Sequence, residues 1–420
     1  MRVSSNVWKR ARIALLLAAA GTVAGCGAGH GKYTQEFKEQ AELRMTQVKA
    51  ATEYDMARQQ FLAGDLKKSL KTIDNSLQLS PDVPKSHVLK ARALLESGSL
   101  ELAMDSLETA IELNPEFAEA HYYAGIIRER WTRPGKAYES YMRAFELEPT
   151  DAQYLLAAGE ALIDQGELDK AHELLSTESG EFEHNAGIRQ TLAHIAQMQG
   201  DLEGAVELFE QAYLLAPDEV GLLEDLARAL IAADDHADGE THLRRLLAMP
   251  GMDERRDLLQ LHARTLMELD RPVEAREILV GLVEDPEGAG DARLWRELAH
   301  AAVKLEDGRR LRESANRLIA ITPQSHQGHY LLALWHHMHG RTENAVDTLA
   351  RAVLLSDEDP APALLQAVLL DRLGDPDGAR AALRIASSIA PNDRRITRIE
   401  SGLGNATPSV GAFAGVDPEE

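Results

Sequence analysis

The sequence predicts an all-α fold, a solenoid of about ten stacked helix-turn-helix repeats. Three observations carry this. Proline recurs every 34 residues at Pro81, Pro115 and Pro149, and four such steps from Pro81 reach Pro217. Between prolines each unit holds two apolar-periodic runs that meet at a turn, as in Lys85 to Pro115, where the turn is Gly98. The chain is 44% apolar but only 5% aromatic, so its interior is built mostly from Leu and Ala, which suits close helix packing rather than sheets. A repeat array grows without a second core, so 420 residues need no division into several domains.

In chain order, residues 1–25 read as an export signal. Arg2, Lys9, Arg10 and Arg12 form the positive end and Ile13 to Ala20 the apolar segment, too short to span a membrane as a mature helix. Val23, Ala24, Gly25 and Cys26 follow, a run that resembles the lipobox of bacterial lipoproteins, with Val where Leu is commoner. Cys26 is the chain's single cysteine and falls where that motif requires one, which also rules out an intramolecular disulfide framework or a Cys-based zinc site. The resemblance implies a diacyl or triacyl anchor on Cys26, stable because several acyl chains share the load. Gly27 lacks the Asp that often retains lipoproteins at the inner membrane, which favours the outer membrane, facing the periplasm. Removing the signal deletes four positive charges and no negative ones, taking the net charge from -23 to -27.

Residues 26–33 read as a flexible tether and 34–49 as a leading or capping helix, with Phe37, Ala41, Met45 and Val48 on one face. The array runs over 50–391, with units starting near 50, 84, 118, 152, 186, 220, 256, 292, 326 and 360. Counted from those starts, the eighth residue is Ala57, Ala91, Gly125, Gly159, Ala193, Ala227, Ala263, Ala299, Ala333 and Ala367. The twentieth is Ala, Gly or Ser in every unit but the eighth, which has Leu311, and the twenty-fourth is large everywhere except Ala315. Two helices that cross closely need small side chains where their backbones approach, with larger ones filling around the crossing. Gly64, Gly98, Gly166, Gly200, Gly340 and Gly374 occupy the turn between paired helices, as a left-handed helix stop asks. Thr132, Asp234, Asp270 and Glu306 stand there in the other units, which are expected to turn by other means.

These columns resemble the tetratricopeptide repeat (TPR) family, which implies a right-handed superhelical array. Departures are local. The fourth unit ends in LLSTESGEFEHN without a proline, and Glu178 replaces a usual small residue. Steps into the seventh and eighth units are 36 residues, the extra length falling around Pro250 and Pro286, so the bend of the array is expected there. A short helix over 392–402 would cover the last repeat, and 403–420, rich in Gly, Ala and Pro, reads as a disordered tail.

Function is sought on the groove that the family's geometry assigns to positions two, five, nine and twelve of each first helix. The ninth column holds Arg58, Arg92, His194, Arg228, Arg264 and His300, a basic row in an acidic chain and suited to carboxylates of an acidic peptide. The alternative is that each arginine pairs with a neighbouring acid such as Glu96, Glu224 or Glu268. Tyr54, Phe61, Tyr122 and Tyr330 add aromatic anchors for a helix or extended segment, or serve plain packing. Histidines cluster over His326 to His339, and His336 and His339 form an i, i+3 pair that would suit a metal. Yet His329 and His336 occupy repeat positions that the family normally buries, so core roles are favoured.

No HExxH, nucleophile elbow, Walker loop or dinucleotide fingerprint appears, so no catalytic residues and no cofactor are expected. The formal charge of -23 argues against nucleic-acid binding. The reading is a non-catalytic, lipid-anchored scaffold of the bacterial envelope that binds protein segments of acidic character. Lipoproteins of this kind serve pilus assembly, secretion or polysaccharide export. The alternatives are a metal-binding or delivery protein and a regulatory subunit of an envelope enzyme.

Overall fold

The computed structural model describes residues 32–178, 180, 182 and 184–402. The expected signal segment, Cys26 and the tail over 403–420 lie outside these residues. The described chain forms twenty-one α-helices and no strand. After the opening helix Lys32–Leu62 they alternate as antiparallel hairpins, from Pro84–Glu96 with Leu100–Leu113 to Ala361–Arg372 with Pro376–Ile389. First helices begin at 84, 118, 152, 186, 220, 256 and 292, and then at 327 and 361, one residue after the expected starts. None of the described helices is long and apolar enough to cross a membrane.

The opening element departs from expectation. Lys32–Leu62 is one helix of 31 residues, so the leading helix runs without a break into the first repeat, and the expected tether is already helical at its last two residues. Nothing between Thr46 and Ala57 is glycine or proline, so no residue there stops the helix. Only its second half is packed: Phe37, Leu43, Met45 and Val48 are exposed, whereas Ala57 is fully buried.

The chain divides into two compact units between residues 183 and 184, at the fourth repeat's proline-less end. The division does not fall at the insertions around Pro250 and Pro286. Both insertions are tied into the core of the second unit. Met249 and Met252 pack against its buried residues. The Trp295 indole N–H donates to the Ala289 carbonyl at 3.0 Å, and a Cβ on Gly288 would lie 1.9 Å from the Leu282 carbonyl oxygen, so this loop lies directly against the helix Pro272–Glu284.

The small-residue columns are buried in all ten repeats. Volume is traded between positions. Where the large residue is Tyr141 the facing small one is Gly125, and a Cβ there would come within 2.4 Å of the tyrosine ring. Leu311 and Ala315, the two exceptions, are both fully buried on one helix, Gly308–Ile321, so the bulk has moved by one turn and the crossing stays filled. The turns need a second correction. Thr132, Asp234, Asp270 and Glu306 have φ of 55°, 62°, 53° and 52°, the same left-handed stop that the glycines make. These units turn by the same means and carry its steric cost. At the far end, Arg394–Gly402 lays Ile396 and Ile399 on Leu364, Ala367, Val368 and Leu383, closing the last repeat.

Candidate partner-binding grooves

In the first unit the groove residues converge on a tyrosine cluster. The helix Ala118–Arg130 presents Glu119, Tyr122 and Tyr123, and the next first helix, Ala152–Asp164, presents Gln153 and Tyr154. Ring centroids of Tyr122 lie 5.3 Å from Tyr123, 5.6 Å from Tyr141 and 5.1 Å from Tyr154, within the range of favourable aromatic contact. Gln153 Nε2 donates to the Tyr122 hydroxyl at 2.8 Å. Together with Phe117, Glu119, Glu148 and Asp151 these side chains line a cavity of about 280 Å³.

Charge is segregated around that cavity. On one side Lys85 Nζ sits 4.7 Å from the Tyr54 ring centroid, and Arg92 lies over Phe61 at 5.1 Å and Tyr123 at 5.0 Å. Arg58 is exposed beside them and has no ion pair among the described residues. Glu148 and Asp151 share the cavity wall with Glu119, and Glu129, Glu160 and Asp164 cluster on the other side of Tyr122. Burial pushes the Glu160 carboxyl above its ordinary pKa, and the neighbouring Glu129 and Asp164 push it further. Glu119 is also raised by burial, with Arg92 pulling it back down. The groove therefore has a basic end and an acidic end, with aromatic faces between them.

The second unit is different. Arg228 bonds Glu224 and Asp257, each at 2.9 Å, and Arg255 bonds the same two carboxylates at 3.0 and 2.7 Å, closing a ring of alternating charges. The Arg255 bond, ahead of the cost of partial burial, holds the Asp257 carboxyl down at about 2. His194 reaches Asp225 at 3.5 Å and packs edge-on against Phe209. Arg264 lies 3.7 Å from Glu297, whose carboxyl is raised by burial even though Gln260 donates to it. His300 is half-buried on the following first helix.

The basic row is thus present as a column but is largely neutralised. Arg92 takes Glu119 at 3.3 Å and Arg264 takes Glu297, not the acids of their own repeats, Glu96 and Glu268. Tyr330 is only 4% exposed, so it is core rather than a groove anchor. Tyr123, Tyr154, Glu119 and Gln153 are groove residues that the column reading passed over. The signal for them lay in positions two, three and six of adjacent repeats taken together.

The histidines do not assemble a metal site. No group of three or more His, Cys, Asp or Glu that could hold a metal occurs among the described residues. His326 Nε2 pairs with Asp359 at 2.9 Å, and His336 and His339 both pack on Trp335, with ring centroids 5.0 and 4.7 Å away. His339 Nδ1 donates to the Trp335 carbonyl at 2.8 Å, so one nitrogen of the expected pair is already spent. The metal-delivery alternative therefore lacks its ligand set.

Comparison with known proteins gives the same repeat. A family profile described as TPR repeat matches residues 91–130, and profiles described as tetratricopeptide repeat match 196–256 and, in two places, 152–176 and 360–384. No curated protein matches the chain in sequence. Among solved structures, the chain is similar to PilF of Pseudomonas aeruginosa at 20% identity, TM-score 0.42, over 49% of this chain and 92% of that one. It is similar to PilW, a type IV pilus biogenesis factor, at 17% identity, TM-score 0.43, over 47% and 92% of the two chains. YrrB, a TPR protein with an unusual peptide-binding site, aligns at 20% identity, TM-score 0.36, over 49% and 98%. Likenesses this distant carry no functional argument. Repeat matches in four separate stretches, a small-residue crossing buried in every repeat and an unbroken alternation of helical hairpins identify the chain as a tetratricopeptide repeat protein.

Proposed function

We propose that the chain is a non-catalytic scaffold that holds protein segments in the groove of its first unit. It is tethered through a lipid on Cys26 to the outer membrane, faces the periplasm and serves assembly of an envelope machine of the pilus, secretion or polysaccharide-export kind. The observation that carries the docking reading is the tyrosine-lined cavity, acidic on its own wall and flanked by Arg92 over Tyr123. Tyrosines offer large, rigid contact area at low entropic cost, and flanking charges of opposite sign fix the direction in which a segment lies. The acidic character expected of the partner belongs at the Arg58, Lys85 and Arg92 end. Its residues facing Glu129, Glu160 and Asp164 are basic.

Crosslinking and pull-down from envelope membranes tests this reading. Arg58→Glu combined with Glu160→Arg, both exposed positions, reverses the groove's polarity and is expected to cut partner recovery about tenfold, the worth of some 1.4 kcal/mol. Arg228→Glu with Arg264→Glu, in the second unit, should leave recovery unchanged. Equal recovery with the first-unit variant would remove the groove reading. Mass spectrometry of the mature first residue tests the anchor: an unmodified Cys26 in a soluble chain would remove the membrane half.

A further inference from the structure

Trp335, on the first helix of the ninth repeat, is the hub of a cation cluster on which the groove has no claim. Arg312 and Arg341 stack on its indole, their guanidinium carbons 4.8 and 5.1 Å from the ring centroid, and it is 8% exposed. Beside it a cavity of about 500 Å³ is lined by Arg309, Arg312, Trp335 and His339, with Gly308 at the helix start and Asn316 one turn beyond Arg312. Arg309, Arg312 and Arg341 are all exposed, and none has a carboxylate partner among the described residues. The one acid on the lining, Glu313, is taken by Arg310 at 2.9 Å.

The cavity is built rather than incidental. A Cβ at position 308 would fall 2.5 Å from His339 Cε1 and 3.5 Å from the indole nitrogen, so the His339 and Trp335 rings sit directly against the start of the helix Gly308–Ile321. The surrounding field is positive. Burial first, then Arg341, Arg312 and His339, push the neighbouring His336 imidazole below its ordinary pKa.

We propose that this cavity binds a phosphate group carried on a small molecule or a lipid headgroup. A carboxylate is satisfied by a single guanidinium fork, whereas the two guanidiniums of Arg309 and Arg312 on one cavity wall suit the several oxygens of a phosphate. The cavity exceeds a bare phosphate and falls in the size range of small-molecule sites, so the phosphate is one end of a larger ligand. Arg312 is held in place by the indole, so little of its freedom is lost on binding.

Calorimetric titration of the full chain in detergent with inorganic phosphate, sn-glycerol 3-phosphate and citrate tests the chemistry. Saturable binding of either phosphate probe is expected, weakened at least tenfold in Arg309→Gln/Arg312→Gln and largely kept in Arg309→Lys/Arg312→Lys. The lysine variant separates loss of charge from loss of fold. Co-sedimentation with phosphatidylglycerol vesicles, read as the difference between wild type and the Gln variant so that the anchor cancels, distinguishes the sources. A difference in sedimentation assigns a headgroup, and phosphate-probe binding without one assigns a soluble phosphate ester. Citrate binding tighter than either phosphate probe, or equal phosphate binding by the Gln variant, would overturn the proposal.

Discussion

The two units share one repeat but spend their charged groove positions in opposite ways. In the first unit like charges are gathered, so Glu160 sits beside Glu129 and Asp164, and Tyr122 and Tyr123 stay half-buried while Tyr154 and Tyr141 are buried. In the second, opposite charges interlock across repeats, as in the ring of Arg228, Glu224, Arg255 and Asp257. A surface whose charges are satisfied internally offers little to a partner, whereas one with segregated, unsatisfied charge stores interaction for it. The backbone repeat therefore sets where side chains stand, and the pairing across repeats decides how much of their charge is neutralised within the chain.

The sharpest way to break this comparison is at the helix crossing. Gly125→Ala drives a Cβ into the Tyr141 ring and should destabilise the first unit by about 3 kcal/mol, the upper part of the range for overpacking. Adding Tyr141→Leu restores the Ala-and-Leu combination of Ala91 and Leu107 and should recover most of that loss. Hydrogen exchange, which resolves the two units in one chain, is the measurement, and equal protection in Gly125→Ala would show the crossing to be looser than its geometry.

Next in size is Glu240, 4% exposed in the second unit, with His262 and Arg271 each at 3.3 Å. Glu240→Ala leaves these partners facing a void and should cost about 2 kcal/mol, less than a fully enclosed pair because Arg271 still reaches water. Denaturant unfolding reads it, and a change confined to the first unit would contradict the placement.

Relief of the left-handed turns should be smaller and of opposite sign. Thr132→Gly, where a β-branched residue holds φ at 55°, is expected to stabilise by about 1 kcal/mol, and Asp234→Gly by less, because Asp tolerates that region better.

The smallest effects separate the units by pH. Glu160 has a raised pKa, so its charged form weakens the fold. Stability is lost as pH rises through that pKa and regained on acidification toward 4.5. Glu160→Gln should therefore raise the melting temperature slightly at pH 7, with the gain vanishing below pH 4.5. Asp257 is the reverse. Its pKa is lowered from 3.8 to about 2, so it contributes stability above pH 3.8 that disappears as pH falls toward 2. Asp257→Asn should lower the melting temperature at pH 7 and make no difference near pH 2. Each effect amounts to a few tenths of a kcal/mol, since both side chains meet solvent, and shifts of the same sign in the two variants would undo the contrast.

Much of the fold was legible because repetition makes a packing rule visible ten times over. The small residues at eight and twenty announce the crossing, and even Leu311 with Ala315 could have been read as a trade within one helix. The turns at Thr132 and Glu306 were misread because propensity names glycine for a left-handed residue, while stacking on both sides forces the same conformation on whatever stands there. The groove was legible only in part. Arg92 and Arg264 were visible as a column, but Glu119 and Glu297 face them from the next repeat, a distance in sequence that no within-repeat pairing would reach. The division after residue 183 was marked by a missing proline, a weaker mark than the insertions near Pro250 and Pro286, which proved to be packed down.

The seal that Ile396 and Ile399 place over the last hairpin has a consequence for self-association. Stacked hairpins are interchangeable in principle, and an uncovered terminal hairpin invites the next molecule to continue the pile. Ile396 and Ile399 occupy the face on which a further hairpin would stack. Among the described residues the apolar row of Phe37, Leu43, Met45 and Val48, by contrast, is exposed.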